Sequence, residues 1–169
     1  MIRSSSLPLL LGWLLTLSTV TMAADPHVLF ESRCGACHGH SGAFAHETLI
    51  LSDGDVRSAL TGRDMAAFLP THRGALTADE AELLLDMFRR QITWGGVFQA
   101  RCRVCHDSAR ALARHDLVIR EGRLLGRYTG RDIADFLAGH GRADSAEQVI
   151  LIEMLRWQLE VLERVDALR

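Results

Sequence analysis

Two short segments of this 169-residue chain place thiols and an imidazole close together in the same order. Residues 34–38 and residues 102–106 both follow the pattern Cys-x-x-Cys-His, and together they contain all of the chain's cysteines. Two thiols in one tight turn can both add to the vinyl groups of a single porphyrin, and the adjacent histidine can then ligate its metal. The pattern is that of covalent attachment of c-type haem.

The motifs therefore predict two covalently bound haem c groups. One complete motif can arise by chance, but two at matching positions are much more specific. The expected roles are thioether links from Cys34 and Cys37 with His38 as proximal iron ligand, and the same roles for Cys102, Cys105 and His106.

Two other uses of the cysteines fit the spacing less well. A secreted chain with four cysteines often forms two disulfides, but local pairing would close very small loops here. A zinc site built from both pairs would need the 64 residues between Cys37 and Cys102 as an insertion, where about 15–20 residues are usual. Neither use explains why a histidine follows each pair.

The region around the motifs is an internal repeat. When the chain is aligned with itself at an offset of 68 residues, 20 of the 54 positions from residue 30 to residue 83 are identical to their counterparts, without a gap. Gly95 and Gly96 lie between the copies, where paired glycines interrupt a continuing helix. The repeat predicts two modules, residues 25–94 and residues 95–169, behind a leader of residues 1–24.

Each copy has the same order of predicted elements, so we expect a mainly α fold. A short helix should lead into the cysteine motif, and a longer amphipathic helix should end the copy. Between them, Asp53-Gly54 and Glu121-Gly122 stand between short apolar stretches and predict a small β-hairpin in each module.

Capping patterns indicate where the later helices begin. Thr61-x-x-Asp64 and Thr129-x-x-Asp132 precede a short apolar run in the two copies. The longer helix should open on one capping pair in each copy, Thr77 with Glu80 and Ser145 with Gln148. A module of this size buries little apolar surface, so a cofactor is expected to complete its core.

At the two motifs, and over the repeated region from about Val28 to Val161, the chain resembles the small bacterial c-type cytochromes in a tandem dihaem arrangement. The resemblance implies two cytochrome c-like modules, export before haem attachment, and electron transfer. Many members of that class use a methionine as the second axial ligand, in a loop before the last helix. This chain departs from that pattern, because no methionine recurs at equivalent positions in both copies.

The repeat instead indicates two histidines as distal ligands. Apart from the motif histidines, only His72 and His140 occupy equivalent positions, and both precede the last helix of their copy. Imidazole is an ordinary ligand of haem iron. For the first haem Met65 stays open as an alternative ligand, although it also suits a core helix face. The remaining histidines are expected to be exposed: His27, His40, His46 and His115.

The first 24 residues have the layout of a secretory signal. Arg3 supplies a positive start, an apolar run follows, and small residues at positions 23 and 24 suit a cleavage site. The alternative is a retained membrane anchor, but Pro8 and Gly12 leave an apolar core shorter than the about 20 residues of a span. We expect cleavage, a periplasmic location and no membrane span afterwards.

Composition argues against nucleic acid as a partner. The 19 basic residues are outnumbered by 21 acidic ones, which gives a net charge of −2, and no basic segment stands out. The expected partners are other redox proteins.

Haem iron with both axial positions filled passes single electrons and offers no open site to a substrate. We therefore expect a one-electron carrier, or a subunit of an oxidoreductase, rather than an enzyme in its own right. Two histidine ligands favour a lower potential than histidine with methionine. The alternatives are a dihaem redox enzyme of the peroxidase type and a haem-based gas sensor, both of which need a labile distal ligand.

Overall fold

The computed structural model describes residues 25–167, so the predicted signal peptide lies outside the described residues. From residue 25 to residue 93 the chain forms helices and one small β-hairpin. The elements are α1 (Pro26–Arg33), α2 (Gly35–His38), α3 (Ser41–Thr48), β1 (Leu49–Ser52), β2 (Asp55–Ser58), α4 (Met65–Phe68), a 3₁₀ helix (Leu69–Thr71) and α5 (Ala78–Thr93).

Nearly the same order of elements recurs after Trp94. It comprises α6 (Val97–Arg101), α7 (Ala109–Asp116), β3 (Leu117–Arg120), β4 (Arg123–Gly126), α8 (Ile133–Leu137) and α9 (Ser145–Asp166). The segment that corresponds to α2 forms turns instead of a helix. The prediction of a mainly helical chain with two small antiparallel hairpins is confirmed.

Both hairpins close through the predicted dipeptides. Asp53 and Gly54 have φ values of 54° and 86°, and Glu121 and Gly122 have φ values of 50° and 72°. Positive φ at both central residues is the signature of a type I′ turn, whose twist matches that of the strands. The turn chemistry therefore sets the register of β1 on β2 and of β3 on β4.

Three helices, α4, α5 and α8, begin at or close to the capping patterns in the sequence. The Thr77 hydroxyl accepts a hydrogen bond from the backbone of Glu80, whose carboxylate accepts one from the backbone of Thr77, so α5 opens on the predicted capping box. The short helices α4 and α8 are capped by Asp64 and Asp132. The threonines of those two patterns lie before the helices.

The start of α9 differs from the prediction by one residue. Its capping box is formed by Asp144 and Glu147, whereas the pattern predicts Ser145 and Gln148. A carboxylate at this position accepts a hydrogen bond from a backbone N–H group that has no partner within the helix. Its negative charge also interacts favourably with the helix dipole. Asp144 therefore replaces the neighbouring serine as the cap.

The two long helices organise the core. Helix α5 packs against α1, α3 and the first hairpin, and α9 packs against α6, α7 and α8. The halves meet where Trp94 lies against Trp157 of α9, with ring centroids 5.4 Å apart, and where Asp25 forms an ion pair with Arg110 of α7. Among residues 25–167, no helix combines the length and apolar character that a membrane span requires.

Candidate functional site

His38 and His72 lie close together in the first half of the chain. His38 ends α2, and His72 directly follows the 3₁₀ helix. Their ring centroids lie 6.0 Å apart, with the ring planes inclined by 49°. Two side chains predicted to ligate the same metal are therefore neighbours in space.

The second half repeats the arrangement with His106 and His140. Their ring centroids lie 6.3 Å apart and the ring planes are inclined by 65°. His106 belongs to the second cysteine motif, and His140 follows α8. The pairing thus occurs once in each copy of the repeat.

The spacing of both pairs suits one metal atom between two rings. Imidazole nitrogens bind zinc at about 2.0–2.1 Å, and with the ring centroid about 1.1 Å behind the nitrogen, rings on opposite sides of one metal have centroids about 6.3 Å apart. Within residues 25–167, no group of three or more His, Cys, Asp or Glu side chains is arranged to hold a metal ion. Each pair supplies two ligands, so a metal held there takes its remaining ligands from a cofactor or from solvent.

Both cysteine motifs fold into tight turns. The backbone N–H groups of Cys37 and His38 donate to the carbonyl oxygen of Cys34, at 3.0 Å and 2.9 Å. The corresponding N–H groups of the second motif donate to the carbonyl oxygen of Cys102, at 3.1 Å and 3.0 Å. Two thiols and one imidazole are therefore held within a single turn, as attachment to one macrocycle requires.

The thiols themselves are unpaired. All four cysteines are free, and no disulfide closes either motif. Cys34 and Cys102 are half-buried while Cys37 and Cys105 are exposed. Burial raises the pKa of the Cys34 and Cys102 thiols above its ordinary value, which favours the neutral thiol.

An apolar cavity of about 310 Å³ lies beside the first histidine pair. Cys34, His38 and His72 form part of its wall. The apolar part of the wall consists of Phe30, Phe44, Leu49, Met65, Phe68, Leu69 and Phe88. Such a volume lies in the range of about 300–1,000 Å³ that is typical of cofactor and small-molecule sites.

Met65 reaches this same cavity. It is 5% exposed and belongs to the hydrophobic core, as expected for an apolar helix face. Both side chains that the sequence leaves open as the distal ligand therefore line one cavity, and the ring of His72 lies 6.0 Å from that of His38.

The second histidine pair borders a larger cavity, of about 680 Å³. Cys102, Cys105, His106 and His140 all belong to its wall. Ile133 stands where the first cavity has Met65, and its side chain has no lone pair to offer a metal. Among the residues that line this cavity there is therefore no methionine that could take the place of His140 as a ligand.

His72 and His140 each lie against a phenylalanine ring, and an arginine guanidinium lies over the other face of the contact. The ring centroids are 4.6 Å apart in one half and 4.4 Å apart in the other, and the guanidinium carbons lie 4.9 Å and 5.4 Å from the phenyl centroids. The members are Arg63, Phe68 and His72 in the first half and Arg131, Phe136 and His140 in the second. No role at the site is predicted from the sequence for either phenylalanine, although the two occupy equivalent positions in the repeat.

His27 contradicts the expectation that it is exposed. It is 4% exposed, its ring lies edge-on to Trp157 at 5.6 Å, and its Nδ1 lies 3.4 Å from Ser41 Oγ. Burial, followed by the charge of Arg110, lowers the pKa of His27 from 6.5 to about 4. The prediction was wrong because α9, which covers this histidine, is far away in the sequence. The other three histidines are exposed as predicted: His40, His46 and His115.

Compared with known proteins, the chain matches no protein-family model, no curated protein and no solved structure.

Proposed function

We propose that this chain is a periplasmic dihaem cytochrome c that carries single electrons between redox proteins. The main support is the facing histidine pair, found once in each half beside a cavity that the cysteine motif also borders. Haem suits this set of residues, because each half brings two histidines, which are ordinary ligands of haem iron, close to the two thiols of a cysteine motif.

In the first half, Cys34 and Cys37 would hold the haem through thioether bonds, and His38 and His72 would ligate its iron. In the second half the same roles fall to Cys102, Cys105, His106 and His140. A haem held by these residues would supply one-electron redox chemistry.

The protein's own residues would orient and protect the metal. Phe68 and Phe136 lie against the distal histidines and restrict how these rings can turn. The aromatic wall of the first cavity limits the access of water. Arg63 lines that cavity, and Arg131 lies beside His140 at the edge of the second, where each guanidinium would pair with a carboxylate of the cofactor.

The two histidine pairs favour a carrier over the alternative functions. A carrier keeps both axial positions filled, whereas a peroxidase-type enzyme or a gas sensor must release one of them. In both halves a second histidine lies about 6 Å from the motif histidine, which favours the carrier. Carbon monoxide distinguishes these functions, because it binds readily only where an axial position is free.

The first experiment measures cofactor content and potential in the purified protein. We expect two haems per chain that remain attached through denaturation and acid-acetone extraction. A potentiometric titration should show two separate one-electron steps, since the two cavities differ in volume and in the residue at position 65 or 133 and such differences shift the potential.

The double substitution Cys102→Ala, Cys105→Ala provides the matched variant, because it should leave one haem and one electron step. Haem that extracts freely from the unaltered protein would refute covalent attachment. Peroxide-dependent oxidation of a donor at enzyme-like rates, with both haems intact, would refute the carrier function.

A further inference from the structure

Each half of the chain carries one large apolar side chain that is almost fully exposed, at equivalent positions of the repeat. Leu60 is 93% exposed and Tyr128 is 81% exposed. Within residues 25–167, no other pair of equivalent positions is occupied by exposed large hydrophobic side chains. A solitary exposed apolar side chain is ordinary in a folded protein, so it is the recurrence that indicates a surface with a function.

Both side chains belong to a short loop that is closed by backbone hydrogen bonds. In the second half the loop comprises residues 127–130. The N–H group of Gly130 donates to the carbonyl oxygen of Gly126, and the N–H group of Gly126 donates to that of Arg131, both at 2.8 Å. The corresponding hydrogen bonds around residues 59–62 are both 2.9 Å long. Because the loop is held in one shape, a partner that binds there pays little entropy to order it.

The loops lie next to the two histidine pairs. Arg131 directly follows the second loop, and its guanidinium carbon lies 5.4 Å from the centroid of the Phe136 ring. That ring is stacked on His140 at 4.4 Å. In the first half, Arg63 follows the loop and lines the same cavity as His72. A partner that docks on either loop is therefore close to one of the proposed haem sites.

Charge distinguishes the two loops. Residues 114–132 include the second hairpin and its loop, and they contain five arginines and three acidic residues, a net charge of +2 with histidine neutral. The equivalent residues 46–64 contain two arginines and four acidic residues, a net charge of −2. Positive charge attracts acidic partners and negative charge repels them, so the two halves offer different surfaces to the same partner.

Two exposed arginines accompany Tyr128. Arg127 directly precedes it, and the Arg127 guanidinium donates to the backbone carbonyl oxygen of Arg114 at 3.2 Å, which brings these two residues together. Both arginines are exposed. In the first half, alanine stands at position 59 in place of Arg127. Tyrosine and arginine are enriched at protein interfaces and among the residues that contribute most to binding.

We propose that the second loop is the docking surface for a partner protein with an acidic surface. Tyr128 would bury its ring in the contact, and Arg114 and Arg127 would face carboxylates of the partner. The negative surroundings of the first loop would disfavour the same partner there. That the partner exchanges electrons with the second haem rests on the proposed function, whereas the docking itself does not.

The ring of Tyr128 reports docking directly, because it is the chain's only tyrosine. The probe is a plant-type two-iron ferredoxin, chosen for its acidic surface and titrated into protein whose tyrosine ring is labelled with carbon-13. At low ionic strength the ring resonances should shift or broaden until they saturate. At about 1 M salt the effect should largely vanish, because charges are then screened beyond about 3 Å.

The repeat supplies matched variants, whose affinity for ferredoxin is measured by calorimetry. Tyr128→Ser should weaken binding at least about fivefold, as expected for a residue central to an interface. Arg127→Ala introduces the residue of the first half and should weaken binding about threefold. Leu60→Ser is the control, because it makes the same kind of change at the equivalent exposed position, and binding should stay unchanged.

Three outcomes would overturn the proposal. These are tyrosine resonances that do not respond to ferredoxin, equal weakening by Tyr128→Ser and Leu60→Ser, or tyrosine resonances that shift when the protein alone is diluted. The last result would assign the loop to a second copy of this chain.

Electron transfer is measured separately from docking. Reduced ferredoxin, with a potential of about −400 mV, should reduce the second haem before the first, and Arg127→Ala should slow this step about threefold at low ionic strength. If the protein carries no haem, the proposed function fails, while the tyrosine titration still decides whether the loop binds an acidic partner.

Discussion

The phenyl ring of Phe136 is stacked on the imidazole ring of His140, with centroids 4.4 Å apart and planes 27° from parallel. Phe68 and His72 form the equivalent contact, at 4.6 Å and 35°. A stacked neighbour restricts rotation of an imidazole, so each phenylalanine would help to set the orientation in which its histidine presents a nitrogen to the proposed haem iron.

Phe136→Leu should therefore change the second metal site without removing its ligand. We expect the electron paramagnetic resonance signal of one haem to shift while the other stays in place, together with a loss of about 1 kcal/mol of stability from the missing ring contact. Phe68→Leu is the matched variant and should shift the other signal. If both signals shift in either variant, or neither does, the phenylalanines do not orient the histidines.

His72→Ala removes the distal ligand proposed for the first haem. We expect one haem to become high-spin in the oxidised protein and to bind carbon monoxide when reduced. The second haem should keep its spectrum, because His140 lies in a separate cavity. Absorption spectra with and without carbon monoxide measure both effects.

Met65→Leu is the control for that experiment, since it keeps the side-chain volume of a buried residue and removes only the sulfur. Its spectrum should match that of the unaltered protein. An unchanged spectrum in His72→Ala together with an altered one in Met65→Leu would assign the ligand to Met65.

The buried His27 predicts how stability depends on pH. The pKa of the His27 imidazole is about 4 in the folded chain, and in the unfolded chain it should have the ordinary value of 6.5. Between pH 4 and pH 6.5 the unfolded chain therefore binds a proton that the folded chain does not. Stability that is present above pH 6.5 is therefore lost as the pH falls towards 4. From about pH 7 to about pH 5 the loss from this group should be about 2 kcal/mol.

Urea unfolding at several pH values measures this loss. His27→Gln should flatten the dependence on pH, while His115→Gln, at an exposed position, should leave it as it was. Equal slopes in all three proteins would show that His27 does not titrate with folding.

The cap of α9 offers a test of one local detail. Asp144 accepts the hydrogen bond from the backbone of Glu147, so Asp144→Ala should cost about 1 kcal/mol. Ser145→Ala should be nearly neutral, because Ser145 is the first helical residue and not the cap. Thermal unfolding of the two variants compares them, and a larger loss in Ser145→Ala would support the cap predicted from the sequence.

The features that could be predicted from the sequence are those decided within a few residues or by the repeat. Asp53-Gly54 and Glu121-Gly122 predict hairpins because both residues of a type I′ turn need positive φ, which these residue types tolerate. The pairing of His72 with His38, and of His140 with His106, was predicted because duplicated modules place equivalent residues alike.

Only the tertiary structure decided what lies between the halves. His27, Trp94 and Trp157 lie outside the aligned stretches of the repeat, which run from residue 30 to residue 83 and from residue 98 to residue 151. The burial of His27 depends on α9 of the other half folding back over α1, a contact between distant segments that no local pattern encodes. A cavity of about 470 Å³ between the halves arises from the same long-range packing, because six helices contribute to its wall: α1, α3, α5, α6, α7 and α9.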